Sequence, residues 1–367
     1  MISIETKLQD YVKEIVEKNK HIYNVLLAIS TGNGEFSWSG AAGIANKAKE
    51  ISMTPETPFF IASITKLFTA TIIMKLYEEK KIDLDDTIVD RLPDTLVKRI
   101  HIYNGVDYTD SITIRHLLSH TSGIADYYLE KPKGGKSFFD LILENPDETY
   151  TVDQTIAFAR DTLKANFEPG KKAKYSDTNF QLLGKIIESI VGKELHHVYH
   201  EYLFSPLGLN NTWFYKRSEP IDKKRMPVAE FYYKDKIISD YKPLESSWAD
   251  GGLISTTKDC LTFLKALFTG KIINKDSTLP LMHQWRRIGF PLKYGFGTMN
   301  IELPAYMTMG RKLPRLIGHL GSTGSFLLYA KDFDMYFAGT INQASSPSKP
   351  VKLVVKLLNT IKKDLFN

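Results

Sequence analysis

Apolar residues recur at helical spacing near the start of the chain, at Leu8, Tyr11, Val12, Ile15 and Val16, which predicts a helix over about Lys7–Lys18. A short apolar run, Tyr23–Ile29, follows, then the turn Thr31-Gly32-Asn33-Gly34 and an alternating stretch, Glu35–Ile44. Together these predict a β-hairpin. From Ser63 to Lys80 the pattern changes. Leu67, Phe68, Ala70, Ile72, Ile73, Met74 and Leu76 point all round a helix, so that helix should be buried. Helices and long loops are expected from Asp83 to about Tyr241, with helical stretches at Thr113–Ser119, Val152–Leu163 and Asn179–Val191, the last stopped by Gly192. After Trp248 the spacing predicts a helix over Thr257–Phe268 and strands over Leu316–Leu320, Ser325–Ala330 and Met335–Ile341. A helix over Val351–Leu365 closes the chain.

Strands therefore lie at both ends and helices between them. The ends can share one sheet only if they meet in space. The expectation is an α/β part made from both ends (1–82 and 245–367) with a mainly helical part inserted between them (83–244). A ligand cleft belongs at the junction.

Composition narrows the function classes. A chain of 367 residues with 43% hydrophobic content supports a large core. The net charge of +6 is spread along the chain, and Lys171-Lys172-Ala173-Lys174 reads as a solvated loop, so no nucleic-acid partner is expected. Cys260 stands alone, which rules out an intrachain disulfide, and reads as a small buried hydrophobe. No apolar run reaches transmembrane length, and no basic stretch precedes an apolar core near Met1. The expected location is cytoplasmic if the N-terminus is native and exported if it has been trimmed.

The chemistry centres on Ser63-Ile64-Thr65-Lys66. Serine and lysine three apart share a helix face. A hydroxyl is a weak nucleophile until a base takes its proton, and a lysine serves as that base only when its pKa is lowered. A helix N-terminus also offers free N–H groups to a developing oxyanion. Ser-x-x-Lys arises often by chance, but a lysine on an otherwise apolar helix is expensive to bury without a partner. His196, His197 and His200 stand at helical spacing. Without an acidic partner or an H-E-x-x-H they read as a solvated face, and no metal or cofactor is expected. His120 reads as structural support for the cleft. Tyr127, Tyr128, Phe138 and Phe139 either line a substrate entrance or pack a long loop.

Ser-x-x-Lys is a motif of β-lactamases and penicillin-binding proteins, and the rest of the chain resembles that superfamily, in particular its class C β-lactamase, esterase and DD-peptidase-like branch. Phe59-Phe60-Ile61-Ala62, Leu117 to Gly123, Tyr175-Ser176-Asp177-Thr178-Asn179, Ala249 to Leu253, Tyr294-Gly295-Phe296-Gly297 and Gly318 to Gly324 are similar to its landmarks and stand in the same order. The resemblance implies a single α+β domain over residues 1–367 with a β-lactamase-like fold, an antiparallel sheet flanked by the N- and C-terminal helices with the helical part inserted, and acyl transfer without a metal. Ser63 would be acylated, Lys66 and Tyr175 would share the proton traffic, and the N–H groups of Ser63 and Ser322 would form the oxyanion hole. Gly321 and Gly324 would let a strand pass close to the substrate, a small molecule or peptide, with Asp177 and His319 also placed to contact it.

Two positions depart from the pattern. Asp177 replaces the usual Asn, and His319-Leu320-Gly321 replaces Lys-Thr-Gly. Both argue against efficient β-lactam hydrolysis. They favour an esterase, D-peptidase or DD-carboxypeptidase acting on small esters or peptide-like amides. The alternative is a β-lactam-binding sensor or penicillin-binding protein that is acylated without turnover. An Asp177 that reaches Lys66 should raise the lysine pKa and favour acyl groups carrying an amine. His319, if it titrates near its usual value of about 6.5, should read a substrate carboxylate better as the pH falls, with Arg311 and Arg315 as substitutes.

Overall fold

The computed structural model describes residues 3–224, 226–302, 314–345 and 349–365. At its centre is a nine-stranded antiparallel sheet. Its strands in chain order are β1 (Asn24–Thr31), β2 (Ser37–Asn46), β3 (Ile51–Ser52), β4 (Arg286–Gly289), β5 (Leu292–Tyr294), β6 (Met299–Ile301), β7 (Leu316–Leu320), β8 (Ser325–Ala330) and β9 (Met335–Thr340). Their spatial order is β4-β5-β6-β7-β8-β9-β1-β2-β3. Five helices matter below: α1 (Ile4–Lys18), α2 (Thr65–Glu78), α3 (Asp177–Val191), α4 (Thr257–Phe268) and α5 (Lys349–Leu365).

The two ends of the chain meet where β1 pairs with β9, Leu26 opposite Thr340 and Ile29 opposite Phe337. Alternation along each strand then sorts side chains between two layers. Val25, Leu27 and Ile29 of β1 join Leu8 and Val12 of α1 and Val354 and Leu357 of α5. Leu26 and Ala28 turn the other way, into a core shared with Phe68 of α2 and Leu264 of α4. On β9, Met335 and Phe337 divide from Tyr336 and Ala338 in the same manner.

Helix α2 is buried from Thr65 to Met74 and at Leu76, as its apolar pattern requires. Leu67, Phe68, Ile72, Ile73 and Leu76 have no exposure, and each such burial contributes about 1.5–3 kcal/mol. Its inward hydroxyls are satisfied by carbonyls: Thr71 Oγ1 donates to Leu67 O at 2.7 Å and Thr69 Oγ1 to Ala249 O at 2.5 Å. Phe68 stacks on Phe263 of α4 with centroids 3.7 Å apart. Helix α3 and the shorter helices Ile114–Leu118, Val152–Thr162 and Leu195–Tyr199 supply the inserted helical region. One apolar cluster runs from Leu26 through Phe68 to Ile156 and Leu183, so sheet and helices share a core.

Three differences from the sequence reading bear on the site. The helix expected from Ser63 starts at Thr65, after a 3₁₀ turn over Ala62–Ile64. The helix expected from Asn179 starts at Asp177, which places that carboxylate in its first turn. Strands β4–β6 were not anticipated; their three or four residues mix Arg286, Arg287 and Lys293 with apolar positions and show no clear alternation. Among the described residues no helix is long and apolar enough to cross a membrane.

Candidate active site

The turn before α2 is held in an unusual backbone. Ala62 has φ +48°, a region that residues with a Cβ rarely adopt. Neighbours pin it there. Ile61 N–H donates to Leu253 O at 3.1 Å, Thr323 Oγ1 to Phe60 O at 2.8 Å, and Ser325 Oγ to Ile61 O at 2.8 Å. Gly321 closes the arrangement, because a Cβ there would lie 2.5 Å from Ile61 O. The end of β7 is thereby pressed against the turn that presents Ser63.

Lys66 lies one turn further along and is fully buried. Its Nζ donates to Ser63 Oγ at 3.3 Å and to the main-chain carbonyl of Asp250 at 2.5 Å, and it forms an ion pair with Asp177 Oδ1. Burial by itself pushes the ammonium pKa down. Asp177 and then Asp250 outweigh that, and the net shift is upward. The sequence expectation was conditional on Asp177 reaching Lys66, and the two are in contact.

Two further carboxylates surround this lysine, and sequence reasoning assigned a role to neither. Asp250 Oδ1 accepts from Trp248 N–H and Oδ2 from Tyr127 O–H, both at 2.8 Å. Asp126 accepts from the N–H groups of Asp177 (2.9 Å), Tyr128 (3.3 Å) and Leu129 (3.2 Å). Burial raises the pKa of both acids. Asp177 adds to the shift at each, and Lys66 opposes it at Asp250. These residues lie 51 and 73 positions from Asp177, and only the fold brings them together.

Tyr175 sits across from Ser63 on the approach to α3. Its Oη is buried without a hydrogen bond of ordinary geometry among the described residues. Burial, then Asp177, holds the phenol well above its usual pKa, and the nearby Ser63 hydroxyl opposes part of that shift. His120 packs on the Tyr175 ring at 4.4 Å between centroids. Its Nδ1 accepts from Ser176 N–H at 3.2 Å and lies 3.1 Å from Asn179 Nδ2, so it holds the segment that carries Tyr175.

His319 overturns an expectation. It is fully buried rather than facing a ligand. Its Nδ1 meets Leu320 O at 2.7 Å and its Nε2 meets Tyr294 Oη at 3.0 Å. Burial and then Lys66 push its pKa down to about 3, so it stays neutral through the range in which a carboxylate reader would have to charge. Arg315 lies 3.3 Å from Glu302 and does not line the cavity below; Arg311 lies outside the described residues.

Ser63, Tyr175, Asp177, Asp250 and Ser322 share one cavity of about 310 Å³. Its remaining wall is largely apolar, including Phe60, Tyr128, Phe139, Tyr215 and Phe231. The four aromatics singled out in the sequence therefore divide: Tyr128 and Phe139 line the cavity, while Tyr127 and Phe138 are buried in the core beside it. Gly321 and His319, both expected to contact substrate, lie behind the cavity wall. Elsewhere, Glu194 supplies the acidic neighbour that the sequence reading found lacking beside His196. The two are 3.3 Å apart, and with His197 they bring three ligand atoms within 4.8 Å of one another, away from the cavity lining.

Comparison with known proteins gives a consistent result. The family described as Beta-lactamase matches residues 8–358. A teichoic acid D-alanine hydrolase of Staphylococcus aureus is 26% identical over 325 residues, covering 80% of this chain and 73% of its own length. A D-stereospecific amidohydrolase from Streptomyces sp. superimposes with a TM-score of 0.77 at 27% identity, over 96% of this chain and 98% of that one. A D-amino acid amidase from Ochrobactrum anthropi SV3 superimposes with a TM-score of 0.79 over 97% and 98% of the two chains; at 24% identity this speaks to the fold alone.

Proposed function

Because the chain belongs to the Beta-lactamase family, we propose that it is a serine hydrolase that cleaves small esters or peptide-like amides through an acyl-Ser63 intermediate and prefers acyl groups that carry a free amine. One observation carries this reading: Lys66 Nζ stands 3.3 Å from Ser63 Oγ, which faces a cavity lined by Asp177 and Asp250 and, among the described residues, by no lysine or arginine. In this scheme Lys66 first loses its own proton, and Ser63 Oγ then attacks the carbonyl carbon as its proton passes to the Lys66–Tyr175 pair. The N–H groups of Ser63 and Ser322 receive the oxyanion. The leaving group departs with a proton, and water releases the acyl group by the reverse path.

The amine preference follows from counting charge. Among the described residues Lys66 is the ammonium that Asp177 and Asp250 share, and it is already paired with Asp177; burial pushes Asp126 up to about 8, so it adds little negative charge near neutrality. Asp250 lines the cavity with its oxygens bonded to neutral donors. Two buried carboxylates that share one ammonium are incompletely neutralised, so a substrate ammonium beside Asp250 binds favourably. The relatives named for D-alanine and D-stereospecific substrates support acyl groups of that kind.

Intact-mass measurement after incubation with p-nitrophenyl butyrate, a D-Ala-D-Ala peptide and a penicillin should show a transient adduct with the first two that is absent in Ser63→Ala. D-alanine p-nitroanilide should be cleaved with a kcat/KM about 10-fold or more above its N-acetyl derivative. Ester turnover retained by a folded Ser63→Ala protein refutes the mechanism. Equal rates for the two anilides refute the amine preference alone.

A further inference from the structure

Beneath Tyr175 lies a second buried phenol that the scheme above does not use. Tyr294 has no exposure, and its ring stands 5.9 Å from that of Tyr175 and 4.3 Å from that of His120, both between centroids. Its hydroxyl meets His319 Nε2 at 3.0 Å. The direction of that bond is set from the far side of the imidazole. His319 Nδ1 faces the carbonyl of Leu320 at 2.7 Å, and a carbonyl only accepts, so Nδ1 carries the ring proton. Nε2 is then a lone pair, and Tyr294 must donate to it. With its proton committed, the Tyr294 oxygen offers only lone pairs to its other neighbours.

We propose that His319 and Tyr294 form a positioning dyad for the acyl-transfer reaction: neutral His319 turns the Tyr294 hydroxyl so that its oxygen is an acceptor facing the Lys66–Tyr175 pair, and so aims the proton that leaves Ser63. This rests on the acyl-Ser63 reading and deepens it.

The surroundings fit an acceptor at that position. Tyr175 Oη and His120 Nε2 are buried in rings packed on Tyr294, and neither is hydrogen-bonded to its oxygen in the resting arrangement, so a lone pair there stands ready for a donor turned toward it. The charged and titratable groups that act on Tyr294 are Tyr175, Lys66 and Asp177, with His120 and His319 in ring contact. Lys66 and Tyr175 are the two groups assigned to the proton, and a lone pair attracts either when it is charged or donating. A lysine in place of His319 has donors and no acceptor. It would reverse the Tyr294 hydroxyl and turn a donor toward the pair. The departure from Lys-Thr-Gly is thus a change in proton direction as well as in substrate contact.

The acceptor role separates from simple packing through the choice of replacement. Gln at 319 can accept from Tyr294 through Oε1; Leu fills space and accepts nothing. Kinetics with p-nitrophenyl butyrate across pH should show kcat about 10-fold or more lower in both Tyr294→Phe and His319→Leu, with KM within about 2-fold and the acid limb of the kcat profile displaced. His319→Gln should recover kcat to within about 3-fold of wild type. The Tyr294→Phe/His319→Leu double variant should be no slower than either single one, since His319 acts through Tyr294. If His319→Gln is as slow as His319→Leu, or if the losses multiply in the double variant, the dyad is wrong. If Tyr294→Phe keeps the wild-type pH profile and kcat, it is wrong as well, even though Ser63 is still acylated. Failure of acylation at Ser63 itself would strike the underlying mechanism instead. Should His319→Leu fail to fold, Tyr294→Phe and His319→Gln still decide the matter.

Discussion

At the scale of single residues, one ion pair sets the resting state of the site. Lys66 is held charged against its own burial by Asp177, with Asp250 adding to the effect. A charged ammonium cannot take a proton from Ser63, so the proposed mechanism requires that hold to loosen. Asp177→Asn removes the larger upward push while keeping the shape of the side chain. The Lys66 pKa should then fall, because burial is left opposed by Asp250 and weaker contributions. The rate rises with pH as the lysine loses its proton, so the acid limb of kcat/KM for an uncharged ester should move to lower pH, by about one unit or more. The same variant should lose part of its preference for amine-bearing acyl groups. A pH profile that does not move would show that Lys66 is not the base. His319 gives the opposite kind of pH expectation. At a pKa of about 3 it stays neutral, so a carboxylate-bearing substrate and its uncharged analogue should show parallel KM profiles between about pH 7.5 and 6.

At the scale of elements, the site depends on backbones brought unusually close. The loop between β5 and β6 lies directly against α2: a Cβ on Gly297 would stand 2.2 Å from Ala70 Cβ and 2.9 Å from the carbonyl of Lys66, at a φ of +67°. Gly297→Ala therefore has to push the loop off the helix that carries Lys66. Expected are a loss of about 2 kcal/mol or more in urea denaturation and a clear fall in kcat. A variant with the wild-type urea midpoint would mean that the loop moves freely. This same loop shows where the sequence was legible and where it was not. Helix α4 and strands β7 and β8 follow their predicted limits because their apolar positions recur over five residues or more. Strands β4–β6, which flank the Gly297 loop, are too short and too polar for alternation to register. At the site, Ser63 and Lys66 were legible because one helix turn joins them. Asp126 and Asp250 were not, since burial and long-range packing give them their meaning. His319 was misplaced for the same reason: a motif fixes which residue stands on a strand, but not how deeply the strand is covered.

At the scale of the whole molecule, the candidate active-site cleft and the sheet behind it are one structure. The chain ends meet at β1 and β9, α1 and α5 cover one side of the sheet, and the core on the other side continues into α2, which carries Lys66, and α3, which follows Tyr175. Damage on the far side should therefore reach the site only through global stability. Leu357 tests this. It is fully buried in α5, among the residues packed between α1 and the sheet, and takes no part in the core that contains α2. Leu357→Ala opens a cavity there and should cost about 2–5 kcal/mol. The nine-stranded sheet separates that cavity from Ser63, so kcat and KM at low denaturant should stay within about 2-fold of wild type. As urea rises, activity and far-UV ellipticity should vanish at a common midpoint, lower than in the wild type, because a shared core leaves no separate unit to unfold first. Activity lost well before ellipticity would show instead that the helical region opens on its own, and the continuity of the core would then not be what holds Lys66 and Tyr175 in register.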